Sequence, residues 1–564
     1  MSIQTNACIG LTAIQIFLAS AALPSTVGES GCSVMGHVTD SVSGQALRGV
    51  ALELSRLAPP KSGPSLASSQ HFEETAKTVA SSGAEGEFCF SGVPPGQYVL
   101  AGKKAGFLVS PYGARSPDQQ SMILNVGSDE APRITLQMLP ASAITGTVTD
   151  DHGDPVPSGI VQLVRATTLR GIRRYVAMQN AVPNDRGEYR LGGLAPGAYF
   201  IRFQPAESEA SQAQGAHARQ RRRLLPTYFP SATALADAGA IAVGLGQELV
   251  GTDIVARKGE TYTIKGSLLA AGQAPAFASI SLMPEGEEPA AIVFGNTILG
   301  RNGEFAIERV PSGQYCLLYA AGFESGISTG RLSVAVADRD VADLIIDAAA
   351  PVSVRGTVIA EGADAVDLSK LKISLDSSVG LLGPAYSGSP QADGLFEIHN
   401  CSPGEYLISV ASPPGTYLKA LYHGSAEMTN GMFRLDGSGA VLTVVVRQGA
   451  AKLRGRVSVP GASDVRGVSA YYIVAPADGA FADQSFRFGS ADMEGSFAVN
   501  DLRPGRYIVF AVAAPDLAMI RNPGAIRLLK PLGAEVVLHE GENASVITNL
   551  ISVDEQAGAL RSLR

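Results

Sequence analysis

Tryptophan is absent from this chain of 564 residues, and charged residues make up only 17% of it. Sugar-binding β-sandwiches usually stack sugar rings on exposed aromatic side chains, most often tryptophan, so the commonest stacking platform is missing. The formal net charge is −8 and no long basic block occurs, which argues against nucleic acid as a partner. Beyond the first 24 residues no apolar run is long enough to span a bilayer, so we predict no membrane span in the mature chain.

Catalytic motifs are equally scarce. The sequence has no Gly-x-Ser-x-Gly elbow with a matched histidine and no phosphate loop ending in Gly-Lys-Ser/Thr. His71 and Glu74 have the spacing of a zinc carboxypeptidase's first two ligands, but they lie in a polar insertion without an evident third ligand, which favours a chance pair. Asp150, Asp151 and Asp154 indicate a turn, because the bidentate glutamate of a calcium loop is missing. We predict a non-enzyme with no catalytic residue, metal or cofactor.

Glycine, by contrast, is abundant and marks a pattern that occurs five times, as in "EGEFCFSGVPPGQY". In each copy two glycines lie ten positions apart, an aromatic residue follows the first by two, and a tyrosine follows the second by two. We interpret each copy as a hairpin, in which the first glycine supplies a positive φ and Pro-Gly suits a type II turn. The glycine pairs are Gly86 and Gly96, Gly187 and Gly197, Gly303 and Gly313, Gly394 and Gly404, and Gly495 and Gly505; the tyrosines are Tyr98, Tyr199, Tyr315, Tyr406 and Tyr507. We expect each tyrosine ring to pack on the neighbouring turn with its hydroxyl bonded to the backbone.

Each copy is preceded by an apolar-x-Gly-x-apolar opener, such as "ITGTV" or "LRGRV", and followed by an alternating strand, such as "RITLQM". Successive copies lie about 100 residues apart, which is the size of one small domain. The sequence therefore predicts an all-β chain of tandem sandwich domains, here called units 1 to 5. Their predicted ranges are 31–139, 140–258, 259–348, 349–448 and 449–553, followed by a tail at 554–564.

The five cysteines fall into two classes. Cys316 and Cys401 occupy positions where the other copies have aliphatic or aromatic residues, so we expect them in the core. Cys89 occupies an outward position, and Cys32 begins the same unit. We predict a disulfide between Cys32 and Cys89. Cys8 would leave with the N-terminal segment.

Residues 1–24 contain an uncharged apolar run that ends near a small-x-small "ASA" sequence, which is typical of a signal peptide. No lysine or arginine precedes Arg48, so a mis-set start codon or a stray apolar arm remains an alternative. We predict export, to the periplasm or to the cell surface.

Two surface features are candidates for contact with a ligand. A basic cluster in "HARQRRRLLPTYFP" is interpreted as a solvated loop, with contact to an anion or surface polymer as the alternative; it comprises Arg219, Arg221, Arg222 and Arg223. Two pairs of adjacent aromatic residues could contact a sugar. These are Tyr228 with Phe229 and Tyr471 with Tyr472.

The opener "ITGTVTDDHGDPVPSGIVQLVRA" together with "NDRGEYRLGGLAPGAYFIRF" resembles the carboxypeptidase regulatory-like domain, also described as transthyretin-like or Cna-B-like. The resemblance covers nearly the whole mature chain and is strongest in units 1 and 2. It implies a seven-stranded Greek-key β-sandwich of the carbohydrate-binding-like class. Some Cna-B relatives link a strand lysine to an asparagine, but Lys265 alternates outward here, so we expect no isopeptide bond.

These observations predict an exported, non-catalytic array acting as a spacer, an adhesion protein or a protein-interaction scaffold. Five compact units in line would reach about 150 to 200 Å. The alternative is a polysaccharide-binding protein, and a remote alternative is a zinc carboxypeptidase or its accessory. The partner is not specified by the sequence; a surface protein or a polysaccharide would fit.

Overall fold

The computed structural model describes residues 31–57, 74–127, 131–169, 172–206, 222–270, 272, 274–285, 295–298, 302–323, 326–362, 366–377, 385–461, 470–477, 485–516 and 522–561. Nearly all regular structure in these ranges is β-strand, which confirms the predicted all-β, tandem-unit fold. The predicted signal peptide, Cys8, His71, Arg219 and Arg221 lie outside the described residues, as do the side chains of Glu74 and Arg222. None of the helices in the described ranges is long and apolar enough to cross a membrane.

Unit 1 consists of two sheets with the orders β4-β1-β8 and β3-β2-β5-β6, and β7 also pairs with β5. The opener strand β1 lies at the centre of its sheet, antiparallel to β4 and parallel to β8. The strands are β1 (Cys32–Asp40), β2 (Ala51–Leu57), β3 (Glu74–Ser81), β4 (Glu87–Ser91), β5 (Gly96–Lys103), β6 (Ser110–Pro111), β7 (Leu124–Val126) and β8 (Arg133–Met138).

Unit 2 repeats this arrangement with the orders β12-β9-β17 and β11-β10-β13-β15, and β18 and β16 also pair with β9 and β13. A 3-10 helix covers Leu235–Asp237. The strands are β9 (Ser142–Thr149), β10 (Gly159–Leu169), β11 (Ile172–Ala181), β12 (Glu188–Leu194), β13 (Gly197–Pro205), β14 (Arg222–Leu224), β15 (Thr227–Tyr228), β16 (Ile241–Val243), β17 (Glu248–Leu249) and β18 (Ile254–Val255).

Unit 3 has one sheet in which β22 and β25 flank the opener strand β19, and a second sheet ordered β21-β20-β23-β24. Strand β14 of unit 2 also pairs with β19, so the basic segment at 222–224 is a strand and the predicted solvated loop is wrong there. The strands are β19 (Lys258–Leu269), β20 (Ala278–Pro284), β21 (Gly295–Ile298), β22 (Glu304–Pro311), β23 (Gly313–Phe323), β24 (Gly326–Val336) and β25 (Val341–Asp347).

Unit 4 has the sheet orders β29-β26-β34-β31-β32 and β28-β27-β30-β33. A 3-10 helix at Leu368–Lys370 precedes β27. The strands are β26 (Val352–Glu361), β27 (Lys372–Ser377), β28 (Ala385–Gly388), β29 (Leu395–Cys401), β30 (Gly404–Ala411), β31 (Thr416–His423), β32 (Ala426–Glu427), β33 (Met432–Leu435) and β34 (Ala440–Gln448).

Unit 5 joins its strands into one sheet ordered β37-β36-β39-β41-β35-β38, with β40 beside β39. Two short helices, α1 (Pro523–Leu529) and α2 (Val553–Ala559), and a 3-10 turn at Lys530–Leu532 lie near its C-terminal end. Helix α2 occupies residues that the sequence analysis assigned largely to a tail. The strands are β35 (Ala451–Ser458), β36 (Tyr471–Pro476), β37 (Arg487–Ser490), β38 (Ser496–Leu502), β39 (Gly505–Val512), β40 (Ala534–Leu538) and β41 (Asn543–Ile551).

Each unit has its own hydrophobic core, drawn from the alternating apolar residues of its strands. Five clusters of buried side chains span 34–138, 144–256, 262–348, 354–446 and 451–544, each within one of the predicted unit ranges. A sixth cluster is different, because it combines residues of units 1 and 5.

The strands around the repeated glycine pair do not form the predicted hairpin. In unit 1, β4 pairs with β1 and β5 pairs with β2, so the segment between them crosses from one sheet to the other. The same crossing occurs in units 2 to 4, and in unit 5 β38 and β39 are separated by two strands. Residue alternation predicts strands but does not specify their partners, which is why the pairing was wrong.

The two glycines of each pair have different roles. The first glycine has φ between +72° and +84° in all five units, a conformation that favours glycine. Gly96, Gly197 and Gly505 have φ of +153° to +157°, far from the +80° or so that a type II turn requires at this position. The predicted type II turn is therefore wrong at these three positions, where the glycine instead begins a strand.

The opener glycine accommodates an aromatic ring and a neighbouring strand. In unit 2, Gly146 lies directly opposite Tyr189, and a Cβ added to Gly146 would be 2.0 Å from the carbonyl oxygen of Thr252. The same glycine–aromatic pair recurs in every unit: Gly36 with Phe88, Gly266 with Phe305, Gly356 with Phe396, and Gly455 with Phe497. The glycine of the opener motif is therefore required by packing, because a side chain at this position would clash with the neighbouring strand.

Candidate functional site

The aromatic pair in unit 2 does not form an exposed platform. Tyr228 is 2% exposed, and its hydroxyl accepts a hydrogen bond from the Arg202 guanidinium at 3.1 Å. Arg202 is itself fully buried and also donates to Gln162. Phe229 is half-buried and packs against the unit 2 core. The sequence prediction of a ligand contact at Tyr228 is therefore wrong.

The aromatic pair in unit 5 is also buried, with the two rings on opposite faces of β36. Tyr472 stacks on Phe497 in the unit core, with ring centroids 4.6 Å apart. Tyr471 is fully buried in the sixth cluster and stacks on Phe488 at 5.5 Å. Burial raises the pKa of the Tyr471 hydroxyl. Neither ring is available to a sugar in this structure, so this prediction is wrong as well.

The outer face of the unit 5 sheet is apolar, which is unusual for a sandwich face that would otherwise meet water. On β36 and β39, alternate residues belong to the unit core while the intervening residues belong to the sixth cluster. The outward residues are Tyr471, Ile473, Ala475, Ile508, Phe510 and Val512. Part of this face is covered by Ala525 and Leu529 of helix α1 and by Leu560, the residue that follows helix α2. The remaining part requires another cover.

Unit 1 provides that cover. Leu57 at the end of β2 and Ile123 just before β7 are 6% and 2% exposed, and both belong to the sixth cluster. Val99 on β5 packs against its edge. The first and last units of the chain therefore share a hydrophobic cluster, which we call the closure cluster. Removing apolar surface of this kind from water favours the contact at roughly 25 cal/mol per Å².

Polar contacts fix the register of the same interface. The Tyr471 hydroxyl donates to the carbonyl oxygen of Ser121 at 2.6 Å, and the Gln97 side-chain amide donates to the carbonyl of Ala491 at 2.9 Å. The backbone N–H of Gln120 donates to the carbonyl of Pro515 at 2.9 Å, beside an antiparallel bridge between Gln119 and Asp516. An exposed ion pair joins Arg115 to Asp554. Buried backbone groups on both sides are thus satisfied across the interface.

Consecutive units are also in contact. Ala141 N–H of unit 2 donates to the Gly106 carbonyl of unit 1 at 3.0 Å, and β14 pairs with β19 between units 2 and 3. Thr329 N–H donates to the Ser402 hydroxyl between units 3 and 4, and Arg447 pairs with Glu540 at 2.7 Å between units 4 and 5. Together with the closure cluster, these contacts form a closed cycle of five units. The units therefore do not lie in an open line, because the first and last units meet.

The five repeated tyrosines have one common geometry. Each ring is buried, and each hydroxyl donates to the backbone carbonyl four residues earlier, at 2.7 to 3.0 Å. This bond closes the crossing between the two sheets, as a tyrosine corner does in other sandwiches. The hydroxyls are structural groups and are not directed towards a ligand.

The acidic turn in unit 2 is held by a lysine. The Lys258 ammonium lies 2.7 Å from both the Asp150 and the Asp151 carboxylates, and Asp150 also accepts backbone N–H groups from His152 and Asp154. These interactions hold the pKa of Asp150 well below its usual range and raise that of Lys258. Asp150, Asp151 and His152 could together ligate a metal ion, but the ammonium lies between the two carboxylates. These contacts join the acidic turn of unit 2 to Lys258, the first residue of strand β19, at the junction of units 2 and 3.

The cysteines are divided between a bridge and the cores. Cys32 and Cys89 form a disulfide with a Cα–Cα distance of 5.5 Å, which ties β1 to β4. Cys316 and Cys401 are free and buried. Burial raises the pKa of the Cys401 thiol to about 11, so it is protonated and unreactive at neutral pH.

No protein-family model matches the sequence, and no curated protein matches it. Similar solved structures include the minor pilin GBS52 of Streptococcus agalactiae, 14% identical with a TM-score of 0.24, over 40% of this chain and 96% of that one. The Bacillus anthracis TIE protein is 9% identical with a TM-score of 0.16, over 92% and 73% of the two chains. The major pilin subunit BcpA of Bacillus cereus is 12% identical with a TM-score of 0.14, over 56% and 98%. At these identities and TM-scores, the similarity supports no inference about what this chain does.

Proposed function

We propose that this chain is an exported, non-catalytic interaction scaffold, in which five β-sandwich units of the carboxypeptidase regulatory-like type are held in a closed cycle. The main support for this proposal is the hydrogen bond between Tyr471 and Ser121. It joins the last unit to the first through two residues that are 350 positions apart in the chain. A closed cycle presents its surfaces in set positions, which lowers the entropic cost of binding a partner. An end-to-end contact also shortens the chain, which disfavours the spacer role.

The disulfide supports export. Structural disulfides persist in oxidising compartments and are rare in the cytosol, and the Cys32–Cys89 bridge joins two strands of one sheet. The apolar run before Pro24 agrees with this location, since it is typical of a signal peptide.

The placement of the polar groups supports a structural role. The repeated tyrosine hydroxyls bond to backbone carbonyls, and the acidic turn of unit 2 binds Lys258. The polysaccharide-binding alternative gains no support from Tyr228, Tyr471 or Tyr472, because all three are buried.

A designed disulfide tests closure and export together. Gln119 and Asp516 oppose each other in an antiparallel bridge, where Cα atoms lie about 4.5 to 5.5 Å apart, within the range of a disulfide. The Q119C/D516C variant should form this bond without added oxidant in the exported protein, as shown by peptide mapping. A Q119C/S369C control, with its second cysteine on exposed Ser369 of unit 4, should stay reduced.

The two failures are distinguishable. If the designed pair is reduced while Cys32–Cys89 is formed, the closed cycle is wrong. If all cysteines are reduced in the protein recovered from cells, export is wrong.

The scaffold role is tested by chemical cross-linking of the exported chain to its partners. Leu57→Asp places a charge in the closure cluster and should open the cycle while the separate unit cores persist. Wild type and oxidised Q119C/D516C should recover the same partners, and the opened variant should lose some of them. An unchanged set of partners in the opened variant contradicts the proposal.

A further inference from the structure

Unit 5 has a basic face on strand β35, whose buried residues pack with those of β36 and β39 in the unit core. Lys452, Arg454 and Arg456 alternate outward along β35 and are exposed. Alternate residues of a strand lie about 6.7 Å apart, so these three cations form one line. Their in-register neighbours are all uncharged: Asn543, Ser545 and Ile547 on β41, and Ser496 and Ala498 on β38.

An open groove of about 600 Å³ runs beside Arg454 and Arg456. The acid in its lining, Asp492, already accepts the backbone N–H of Ser496 at 2.7 Å. Within the described ranges neither arginine side chain has a hydrogen bond or an ion pair. Ile547, at the end of the line, is 69% exposed. The basic face is therefore an unpaired patch on a chain of net charge −8.

The corresponding face of unit 3 has the opposite charge. Its opener strand β19 is flanked by exposed acidic residues on β22 and β25. Strand β19 itself contributes one cation, Lys265, to the exposed face. We call this the acidic face; it consists of Glu304, Glu308, Asp343 and Asp347. In the part of the chain that the structure describes, none of the four forms an ion pair.

The two faces also match in their apolar residue. Ile345 lies opposite Ser267 in unit 3, and Ile547 lies opposite Arg456 in unit 5. Ser267 and Arg456 each directly follow the opener glycine of their unit, so the two isoleucines occupy equivalent positions. Ile345 is 65% exposed. Each face therefore has one large exposed apolar side chain beside a set of like charges.

In unit 4, the positive charge at the position equivalent to Arg454 is neutralised by an acidic residue of the same sheet. Arg355, the equivalent of Arg454, lies opposite Glu397 and pairs with it at 3.1 Å. In unit 5 the residue opposite Arg454 is Ala498. Unpaired charge at this surface is thus specific to units 3 and 5 and does not follow from the sandwich fold, since unit 4 has the same fold and pairs its arginine.

We propose that the basic face of unit 5 docks on the acidic face of unit 3 in a second copy of this chain. Both faces are exposed to solvent within one chain, so each is accessible to the complementary face of a second copy. Complementary charge steers such an encounter and fixes its register, while the two isoleucines supply apolar contact. This inference goes beyond the scaffold role and does not depend on closure.

The contact joins two different surfaces, so it is heterologous. Such contacts repeat from copy to copy and build open chains or closed rings instead of two-fold dimers. The association is expected to weaken with salt, because both faces are exposed and screened.

Sedimentation velocity of the full chain tests the proposal. In about 0.05 M NaCl the weight-average sedimentation coefficient should rise with protein concentration, and in about 0.5 M NaCl the rise should largely disappear. The variants R454E/R456E and E304K/E308K should each associate at least about tenfold more weakly than wild type. An equimolar mixture of the two variants should associate again, because each supplies the charge that the other lost.

Arg355→Glu is the matched control, since it reverses a charge at the same position of unit 4; association should be unchanged. The proposal is overturned if wild type shows no concentration dependence at low salt, if either charge-reversal variant associates like wild type, or if the mixture fails to restore association. A monomeric wild type that binds polygalacturonate through Arg454 and Arg456 would also overturn it, because the occupant would then be an acidic polymer.

Discussion

The hydroxyl of Tyr471 in unit 5 donates a 2.6 Å hydrogen bond to the carbonyl oxygen of Ser121 in unit 1. Tyr471 is fully buried at this point, inside a cluster to which both units contribute. Tyr471→Phe keeps the ring but leaves the Ser121 carbonyl without this donor, at a cost of about 1–3 kcal/mol. The loss should appear as faster amide exchange at Gln120, whose N–H bonds across the interface to Pro515.

Tyr422→Phe is the control for this experiment, because Tyr422 lies in unit 4, is half-buried and has no side-chain hydrogen bond among the described residues. Equal exchange rates at Gln120 in wild type and Tyr471→Phe would show that the interface does not depend on this bond.

Reduction of the Cys32–Cys89 disulfide should destabilise unit 1. The bridge spans 57 residues, and in the chain-entropy model a loop of this length contributes about 4 kcal/mol to the free energy of unfolding. Urea unfolding of unit 1, with and without reductant, should show the difference as a lower midpoint, with a steeper slope because the reduced unfolded chain exposes more surface. In a Cys32→Ser/Cys89→Ser variant the reductant should have no further effect; a shift there would assign the effect to Cys316 or Cys401 instead.

Gly146→Ala should destabilise unit 2, because the new Cβ would meet the Thr252 carbonyl, which also accepts the Tyr189 hydroxyl at 2.5 Å. Overpacking of this kind costs about 1–3 kcal/mol or more. Thermal unfolding measures the loss. Gly127→Ala is the matched control, since nothing lies within 4 Å of its added Cβ. Equal melting temperatures for the two variants would refute the packing role of the opener glycine.

The contact of Asp150 with Lys258 should make the junction of units 2 and 3 acid-sensitive. A carboxyl with a lower pKa in the folded state stabilises the fold above its unfolded pKa, near 3.8, and this stabilisation is lost as the pH falls through the folded value. Lys258 has a raised pKa, so its contribution is complete below 10.5 and is lost at higher pH. Asp150→Asn should therefore lower the melting temperature at pH 7, and the difference from wild type should shrink below about pH 4.

Asp154→Asn serves as the comparison, because Asp154 belongs to the same turn and its carboxylate has no partner among the described residues. It should leave the pH profile unchanged. A pH-independent difference for Asp150→Asn would mean that the turn, and not the ion pair, sets stability.

The repeat was readable from the sequence because its residues meet local requirements. A positive φ at Gly86 and its four equivalents, and a tyrosine two residues after the second glycine, are dictated within a few positions of the chain. Alternation in "EFCF" correctly indicated a strand with one buried face. The partner of that strand was not readable, since β1 lies some fifty residues earlier and pairing is decided by the fold as a whole.

The closure cluster could have been suspected from one signal. The segment "AYYIVA" at 470–475 is apolar without alternation, which is typical of a strand buried on both faces. What covers the second face could not be read from it, because Leu57 and Ile123 look like ordinary apolar residues of unit 1. Helix α2 also had a local signal, the capping box formed by Ser552 and Glu555, which the assignment of a tail overlooked.

Small-angle X-ray scattering of the protein tests the closed cycle most directly. Five units in line would have a maximum dimension of about 150 to 200 Å. The closed cycle predicts a markedly smaller maximum dimension for wild type, at a salt concentration that keeps it monomeric, and a larger one for Leu57→Asp. A wild-type profile of an extended rod, unchanged by Leu57→Asp, would contradict the account.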